Sequence, residues 1–321
     1  MRRVTVVEVR DLSNLELVQQ LKEFERQFCY PLGKARTFSI SHGDQYNLFF
    51  QAMGESSTFV ADVEGEVAGV VSVVMKDVQL SDGSTISAAY ICDLKVAQPY
   101  RGGRVLMSLL DRAQSWIRVR CEKAFSIVMD GTPVTPDRYT GRRGIPAFEK
   151  VASIALLQVV SHKVPGLPIR SEATMGEVKE VFRRLASGST AIDIGEPVAR
   201  SMMPPLPVVV CSSGGQACGV VEDTRRAKRL LVAGEGELLV GHLSSFAFSC
   251  VKAAAELVEN ALSYAATHDV AAIFIPVPEQ HSPTITSMLD SLGRRYTIAS
   301  ASVFAVGLPG GGPWIVNSSE I

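Results

Sequence analysis

The sequence predicts an α/β (α+β) protein in which a mixed, mostly antiparallel twisted sheet is flanked by helices, and in which this unit occurs twice. Short β-branched runs bounded by turn residues alternate with amphipathic helical stretches. The order of these elements then repeats after about 150 residues. A length of 321 residues also fits two domains of roughly 150 residues better than one core.

The first half opens with a strand, Thr5 to Arg10, and an amphipathic helix, Leu12 to Phe28, for which Ser13 is the expected cap. An antiparallel meander follows, and a helix from Gly103 to Val119 then leads to a buried strand from Phe125 to Met129. The three meander strands are Ser57 to Asp62, Val67 to Val78 and Ser87 to Val96.

The second half repeats this order more weakly after the Pro- and Gly-containing stretch Val164 to Pro168. Matching points such as Gly69 and Gly219 lie about 150 positions apart, which is typical of duplicated domains, although generic α/β elements can also agree by chance. We therefore expect domains at residues 1–163 and 169–321. The expected elements of the second are Ile169 to Ala173, the helix Met175 to Leu185, the hairpin of Pro207 to Ser212 with Ala217 to Val232, the strand Glu237 to Phe248, the helix Val251 to Thr267, the strand Val270 to Val277 and a closing hairpin of Thr297 to Leu308 with Trp314 to Asn317.

Composition narrows the function classes. Hydrophobic residues make up 46% and charged residues 20% of the chain, as in ordinary globular proteins. Lys+Arg 32 against Asp+Glu 33 gives a net charge of -1, so we expect neither a nucleic-acid nor a membrane partner. The six cysteines show no CxxC spacing and the histidines no metal-ligand spacing, so we expect no metal. A cytoplasmic location is expected because no secretory leader or membrane-length apolar run is present.

One segment, Asp93 to Leu106, carries the features of an anion site. It passes from a strand through a Pro/Gly loop into the helix that begins near Gly103. A helix start presents free N–H groups and a positive dipole end, and Gly102 lets the main chain approach a phosphate closely. Arg101 and Arg104 add positive charge. On these residues alone, a pyrophosphate site and a tight turn with solvated arginines remain equal alternatives.

This segment resembles motif A of the GNAT superfamily of N-acetyltransferases, in which an Arg/Gln-x-x-Gly-x-Gly/Ala loop follows a strand ending in Val-x-Pro-x-Tyr-Arg-Gly. The matching residues are Val96, Tyr100, Arg101 and Gly102. The departures are Pro99, displaced by one place, and Arg104 and Leu106, which stand where the motif has small residues.

The resemblance covers residues 4 to about 160 and implies tandem GNAT-like domains. The second is degenerate, because residues 243–251 contain neither Arg nor Gly. The run Thr140 to Pro146 resembles a feature of some two-domain GNAT-like proteins.

The resemblance also implies a binding site for acetyl-CoA or another acyl-CoA as co-substrate. Main-chain groups of Leu94 and Val96 would hold the pantetheine arm, and the thioester would lie in a wedge between their strand and Phe125 to Met129. The implied cofactor-binding residues are Leu94, Lys95, Val96, Arg101, Gly102, Gly103, Arg104, Val105 and Leu106.

Two residues are candidates for catalysis. Asp93 lies on the strand beside the expected thioester, where partial burial would raise its pKa and make it a useful base. The alternative is that Asp93 points to solvent or pairs with a nearby Arg. Tyr139 is the candidate that returns a proton to the thiolate. Strand alternation puts Cys92 on the opposite sheet face from Asp93, which favours a packed thiol over an acyl-enzyme.

The predicted function is therefore acyl-CoA-dependent N-acyltransfer, most simply N-acetyltransfer, to an amine on a small molecule or peptide. The alternatives are a non-catalytic acyl-CoA-binding sensor or scaffold of the same fold, or a phosphate-binding protein of unrelated chemistry.

Residues 28–45, including Tyr30, Arg36, Phe38 and His42, are expected to line the acceptor pocket. The second domain would shape that pocket or form a homodimer. Residues 222–226 either face the cleft or form a solvated charged edge.

Overall fold

A computed structural model describes residues 3–9, 14–32, 36–163, 173–212 and 214–321. The strands in these ranges are β1 (Val4–Glu8), β2 (Tyr30–Leu32), β3 (Arg36–Ser41), β4 (Ser56–Val63), β5 (Glu66–Gln79), β6 (Thr85–Val96), β7 (Ala124–Met129), β8 (Glu149–Val160), β9 (Thr190–Ile192), β10 (Leu206–Ser212), β11 (Gly215–Glu222), β12 (Arg229–Val232), β13 (Gly236–Glu237), β14 (Val240–Phe248), β15 (Ala272–Pro278), β16 (Tyr296–Val306) and β17 (Trp314–Ile315).

The α-helices of the same ranges are α1 (Leu15–Glu25), α2 (Leu48–Gln51), α3 (Arg104–Arg118), α4 (Pro136–Tyr139), α5 (Met175–Leu185), α6 (Pro197–Arg200), α7 (Val251–Thr267) and α8 (Ser282–Ser291). None of them combines the length and apolar character needed to cross a membrane.

The long helices agree with the sequence pattern. The bounds of α3, α5 and α7 match the predicted helices to within one residue at each end, because their apolar residues recur with a clear helical period. The expected cap Ser13 lies outside the described residues, and Asn14 caps α1 by accepting hydrogen bonds from the N–H groups of Glu16 and Leu17. The stretch 164–168 and the strand expected to start at Ile169 lie outside them as well.

A single sheet runs through both halves of the described chain, in the order β1-β4-β5-β6-β7-β16-β8-β15-β14-β11-β10. β6 pairs with β7 in parallel, as β14 does with β15, and the other neighbours along this path are antiparallel. The mixed, mostly antiparallel sheet is therefore confirmed. At the centre the halves exchange strands: β8 of the first half pairs with β15, and β16 of the second half pairs with β7.

The predicted closing hairpin is wrong. β16 inserts between β7 and β8, whereas β17 pairs in parallel with β9. Ala301 and Val303 of β16 are fully buried in the central core. A terminal hairpin would instead have left the edges of β7 and β8 without partners, which is costly for buried backbone.

The helices place the start of α3 beside the end of β6. Val105, Leu109 and Ala113 of α3 pack on one face of the first half, and the opposite face carries α1 and α2. Gly69 of β5 permits this close approach, because a Cβ there would lie 2.9 Å from the Lys95 carbonyl oxygen and 3.0 Å from Leu109 Cδ1. A short second sheet, β13-β12-β3-β2, joins the 30–41 segment to the second half.

Gly69→Ala should therefore lower the free energy of unfolding by about 1–3 kcal/mol, since the main-chain oxygen cannot move away without shifting β6. Urea unfolding followed by circular dichroism measures the effect. Gly312→Ala is the control, because a Cβ at Gly312 meets nothing within 4 Å. Equal stability of the two variants would contradict the close packing of α3.

Candidate active site

The segment between β6 and α3 forms the predicted strand-loop-helix. A turn of 3-10 helix, Gln98–Tyr100, follows β6, and Gly102 then takes a φ of 75°, a conformation that favours glycine. Gly103 is the N-cap of α3 and supplies no side-chain hydrogen bond to the first turn. The N–H groups at the start of α3 are thus available to an anion.

Arginines surround this helix start. A cavity of about 420 Å³ is lined by Gly102, Gly103, Arg104, Leu106, Met107, Arg142 and Arg143. The segment that carries Arg142 and Arg143 is tied to α3 by a 2.9 Å hydrogen bond from Gln114 Nε2 to the Gly144 carbonyl oxygen. Arg101 does not line the cavity and instead donates to the Val96 carbonyl oxygen at 3.1 Å. The positive charge of the cavity therefore comes from Arg104, Arg142 and Arg143.

β6 and β7 separate, as the resemblance to GNAT domains implied. Their parallel register holds only Ala89 with Ala124 and Tyr90 with Phe125. The rings of Tyr90 and Phe125 stack at 5.0 Å and close this end. β7 pairs with β16 along its whole other edge, whereas residues 126–129 have no pairing with β6. A wedge therefore opens between residues 91–96 and 126–129.

A β-bulge interrupts β6 inside the wedge. Lys95 pairs with Val70 and Cys92 with Ser72, so two residues of β6 lie opposite one residue of β5. Asp93, the first of these two, has a φ of 51°. The prediction that Cys92 and Asp93 lie on opposite faces is wrong, because the extra residue breaks the alternation. Cys92 packs against the core cluster that contains Tyr46, whose hydroxyl donates to Asp93 Oδ2. Burial raises the pKa of the Cys92 thiol well above its usual value.

Asp93 belongs to a buried charged cluster built from three parts of the chain. Lys95 Nζ lies 2.5 Å from Asp93 Oδ1 and 3.8 Å from Glu25 Oε1, at the end of α1. Glu25 accepts from His42, with Nδ1 at 2.5 Å from Oε1 and the main-chain N at 3.0 Å from Oε2. The side chains of these four residues are at most 8% exposed.

The pKa of Asp93 moves opposite to the predicted direction. Burial raises it, but the Lys95 ammonium and His42 outweigh burial and leave the pKa below its usual value. The partner is thus a lysine rather than an arginine, and the carboxylate is ionised at neutral pH. For Tyr46, burial and Asp93 raise the pKa of the phenol well above its usual value, so it remains a donor.

The residues predicted to line the acceptor pocket differ in their exposure and contacts. His42, predicted to recognise the acceptor, is 4% exposed and held by Glu25. Tyr30 is half-buried and stacks on Phe38 at 5.5 Å. Burial raises the pKa of Tyr30, and charges at Lys95, Asp93 and Glu25 also act on it, so its ring lies toward the charged cluster. Arg36 pairs with Glu235 of the second half at 2.9 Å.

Tyr139 ends the short helix α4, in the same connection that carries Arg142 and Arg143. It is half-buried, and burial followed by the charge of Asp137 raises the pKa of its phenol. Its hydroxyl therefore keeps its proton at neutral pH.

The second half contains a matching bulge that is already occupied. Cys218 pairs with Ala247 and Val220 with Ser244, and Ser245 between them has a φ of 50°. The Ser245 N–H donates to Asn317 Oδ1 at 2.8 Å. α7 follows β14 almost directly, and Cys250 Sγ caps its first turn. This half therefore has the bulge but no anion loop.

A second buried network joins the halves. Arg200 pairs with Glu222 at 2.8 Å and with Glu320 at 3.0 Å, and Glu320 also pairs with Lys76 of β5 at 2.9 Å. Glu222 and Asp223 are fully buried, so the interpretation of residues 222–226 as a solvated edge is wrong for these two positions.

No sequence pattern assigned a role to Glu25 or Tyr46, and Lys95 was expected only among the cofactor-binding residues. One signal was present for Glu25, which lies with Leu21 and Phe28 on the apolar side of the helical pattern. In the described ranges no group of three His, Cys, Asp or Glu side chains is placed to hold a metal ion.

Comparison with known proteins supports the same fold. No protein-family model matches the sequence, and no curated protein matches it. Among solved structures, Saccharomyces cerevisiae N-myristoyltransferase with bound myristoyl-CoA superposes with a TM-score of 0.62 and 12% identity, covering 99% of this chain and 87% of that one. A GCN5-related N-acetyltransferase from Kribbella flavida gives a TM-score of 0.50 and 12% identity, covering 95% and 71%. A putative acetyltransferase from Pyrococcus horikoshii gives 0.50 and 10%, covering 95% and 89%.

The chain thus has the tandem GNAT fold that its motif predicted, and it shares this fold with N-acyltransferases. At 10–12% identity the likeness concerns the fold. The assignment of individual residues depends on the geometry described above.

Acid should weaken the folded state through Asp93 and Glu320. Burial raises the pKa of each carboxyl, but the cations Lys95 and His42 around Asp93, and Lys76 and Arg200 around Glu320, lower both below their unfolded values. Their contribution to stability is therefore present above pH about 4–5 and is lost as the pH falls through the lower folded values.

Urea unfolding between pH 3 and pH 7 measures this dependence. We expect Asp93→Asn to be less stable at neutral pH and to lose less stability on acidification. An acid slope identical to that of the wild type would contradict the ionised state of Asp93.

Proposed function

We propose that this chain is an acyl-CoA-dependent N-acyltransferase, with acetyl-CoA as the simplest donor and a primary amine on a small molecule or peptide as acceptor. One observation carries the proposal: in the first half, a strand with a bulge, a diverging parallel neighbour and an arginine-lined helix start follow one another in the order that a CoA thioester requires. We also propose that residues 1–163 and 169–321 are the two domains, the first holding the CoA.

The helix start would bind the pyrophosphate. Free N–H groups from Gly102 to Leu106 and the helix dipole act together there. Arg104, Arg142 and Arg143 add charge at the same cavity. Arg104 and Leu106, which depart from the motif, both line this cavity. Arg101 would act indirectly, through the Val96 carbonyl oxygen next to the pantetheine arm.

The bulge would polarise the thioester. At the bulge, the N–H of Asp93 would point out of the ladder, toward the wedge. The second half supports this role, because there the equivalent N–H of Ser245 binds the amide oxygen of Asn317 at 2.8 Å. In the first half, the N–H of Asp93 would bind the thioester carbonyl oxygen and stabilise the negative charge that develops on it.

Asp93 and Tyr139 would manage the protons. The ionised Asp93 carboxylate accepts a proton from the acceptor ammonium, and the free amine then attacks the thioester carbon. The C–S bond breaks and the CoA thiolate takes a proton from the Tyr139 hydroxyl, which the raised pKa keeps protonated. The amine nitrogen, positively charged after its attack, loses its surplus proton as the amide forms, and this proton restores the Tyr139 hydroxyl. The main chain of Lys95 would face the proposed CoA site. Its side chain, on the other face of β6, forms the ion pair with Asp93.

A non-catalytic acyl-CoA sensor or scaffold is the second candidate. The observation that favours it is the restraint on Asp93, which is held by both Lys95 and Tyr46 and has a lowered pKa. A carboxylate with a lowered pKa and with partners on both oxygens is a poor base, unless the proton that it accepts is passed on to another group. Turnover separates the two candidates, because both bind acyl-CoA.

The double charge reversal Arg142→Glu with Arg143→Glu should weaken CoA binding about tenfold or more, because it removes two cations from the pyrophosphate cavity. Isothermal titration calorimetry with acetyl-CoA measures this. Arg138→Glu is the matched control, since Arg138 lies in the same connection but is exposed and outside the cavity. Equal losses of affinity in both variants would mean that the effect comes from overall charge alone. If the wild type does not bind acetyl-CoA, the proposed function is contradicted.

Asp93→Asn should lower kcat at least about 100-fold while leaving the Kd for acetyl-CoA within a few-fold, since the carboxylate acts on the acceptor and not on the nucleotide. Thiol release from acetyl-CoA is followed with a panel of diamines and lysine- or glycine-terminated peptides. Wild-type binding without turnover on that panel would favour the sensor, and an active Asp93→Asn variant would exclude Asp93 as the base.

A further inference from the structure

The wedge has a floor, which is the end where β6 and β7 still pair. Ala89 pairs with Ala124 and Tyr90 with Phe125, and the next residue of β7 is Ser126. Ser126 is 7% exposed, whereas the rest of β7 beyond it is half-buried or exposed. Ser126 is therefore the last buried residue of β7 before the wedge opens.

The hydroxyl of Ser126 has no hydrogen-bond partner among the described residues, and its Oγ atom is closed to solvent. Ser126 pairs with Phe304 of β16. Strand alternation puts it on the same face as Ala124 and Val128, and these three neighbours belong to the apolar cluster against which α3 packs. A single polar atom thus lies unpaired in apolar surroundings at the floor of the wedge.

An unpaired buried hydroxyl costs free energy, because it has lost its hydrogen bonds to water and has gained none in the protein. Few such groups are left in folded proteins. At Ser126 this cost is already present in the free protein, so a ligand group that binds the hydroxyl would recover it. Buried polar groups of this kind discriminate strongly between a ligand that pairs with them and an analogue that does not.

The proposed orientation of CoA brings the acyl group to this floor. With the pyrophosphate at the start of α3 and the pantetheine arm along Val96 and Leu94, the donor enters from the open end and its thioester reaches Asp93. The acyl group then continues in the same direction. Ser126 lies level with Ile91 in the register of the two strands, which is two residues, or about 7 Å, beyond Asp93.

We propose that the donor's acyl group is short and carries a hydroxyl on its third or fourth carbon, and that Ser126 Oγ binds this hydroxyl. The inference rests on the proposed acyltransferase function. The paired residues Tyr90 and Phe125 close the wedge one residue farther in and limit the length of the chain. A neutral hydroxyl suits the apolar surroundings, whereas a carboxylate would need a buried cation beside it. Rotation about χ1 gives the Ser126 hydroxyl three staggered positions from which to meet the ligand.

Binding of four-carbon acyl-CoA esters tests the inference. Isothermal titration calorimetry gives the Kd of butyryl-CoA, of both enantiomers of 3-hydroxybutyryl-CoA and of 4-hydroxybutyryl-CoA. The wild type should bind at least one of the hydroxyacyl esters about tenfold more tightly than butyryl-CoA. In Ser126→Ala this ratio should fall to about one, because the variant removes only the hydroxyl that distinguishes the esters.

Ser302→Ala is the matched control. Ser302 lies on the same face of the neighbouring strand β16 and is 4% exposed, but its Oγ donates to Asp130 Oδ1 at 2.7 Å. This variant should keep the wild-type ratio of affinities. If Ser126→Ala does not fold by circular dichroism, Ser126→Cys takes its place, and its weakly bonding thiol should lower the ratio as well.

The possible results separate the acyl preference from the proposed function. Equal affinities of the wild type for all of the esters would overturn the role of Ser126 and leave the acyltransferase function intact. A folded Ser126 variant that keeps the wild-type ratio would do the same. A wild type that binds none of the acyl-CoA esters, acetyl-CoA included, would contradict the proposed function itself.

Discussion

The bulge at Asp93 is the constraint on which the first half depends. A non-glycine residue at a φ of 51° is held in a costly conformation, and such residues persist where their surroundings fix them. Here Lys95 and Tyr46 fix the carboxylate from two sides. In the proposed site, the same extra residue would turn an N–H toward the wedge and present the carboxylate to the acceptor amine. Under the proposed function, one backbone irregularity would supply both polar groups that acyl transfer needs at the carbonyl.

The two halves share a local architecture, but the proposed CoA site lies in the first half alone. Both halves have the bulge and a parallel pair of strands whose pairing ends just before it. Only the first has the loop with Gly102 and the arginines around the helix start. In the second, the chain near Asn317 fills the corresponding place, and Ser318 bonds to His242 at 3.0 Å. The exchanged strands β8 and β16 and the network of Arg200, Glu320 and Lys76 then fix the two halves in one body.

Local patterns allowed much of this fold to be predicted. The helices α3 and α7 have strong apolar periods, and the loop between β6 and α3 has a motif of its own. The exchange of β8 and β16 was not predictable, because strand order between halves depends on contacts distant in sequence. Strand alternation predicted the wrong relative faces for Cys92 and Asp93, because nothing in residues 90–96 indicates that the strand contains an extra residue. Glu25, His42 and Lys95 meet only through the packing of α1 and β3 against β6, so no spacing in the sequence reveals them.

A crystal structure with a non-hydrolysable acetyl-CoA thioether analogue would show whether the bulge of β6 holds the acyl group. We expect the acyl carbonyl oxygen within about 3 Å of the Asp93 main-chain nitrogen, with the pyrophosphate at the first turn of α3 between Arg104 and Arg142. An analogue bound in the second half, or bound with its carbonyl away from the bulge of β6, would contradict it.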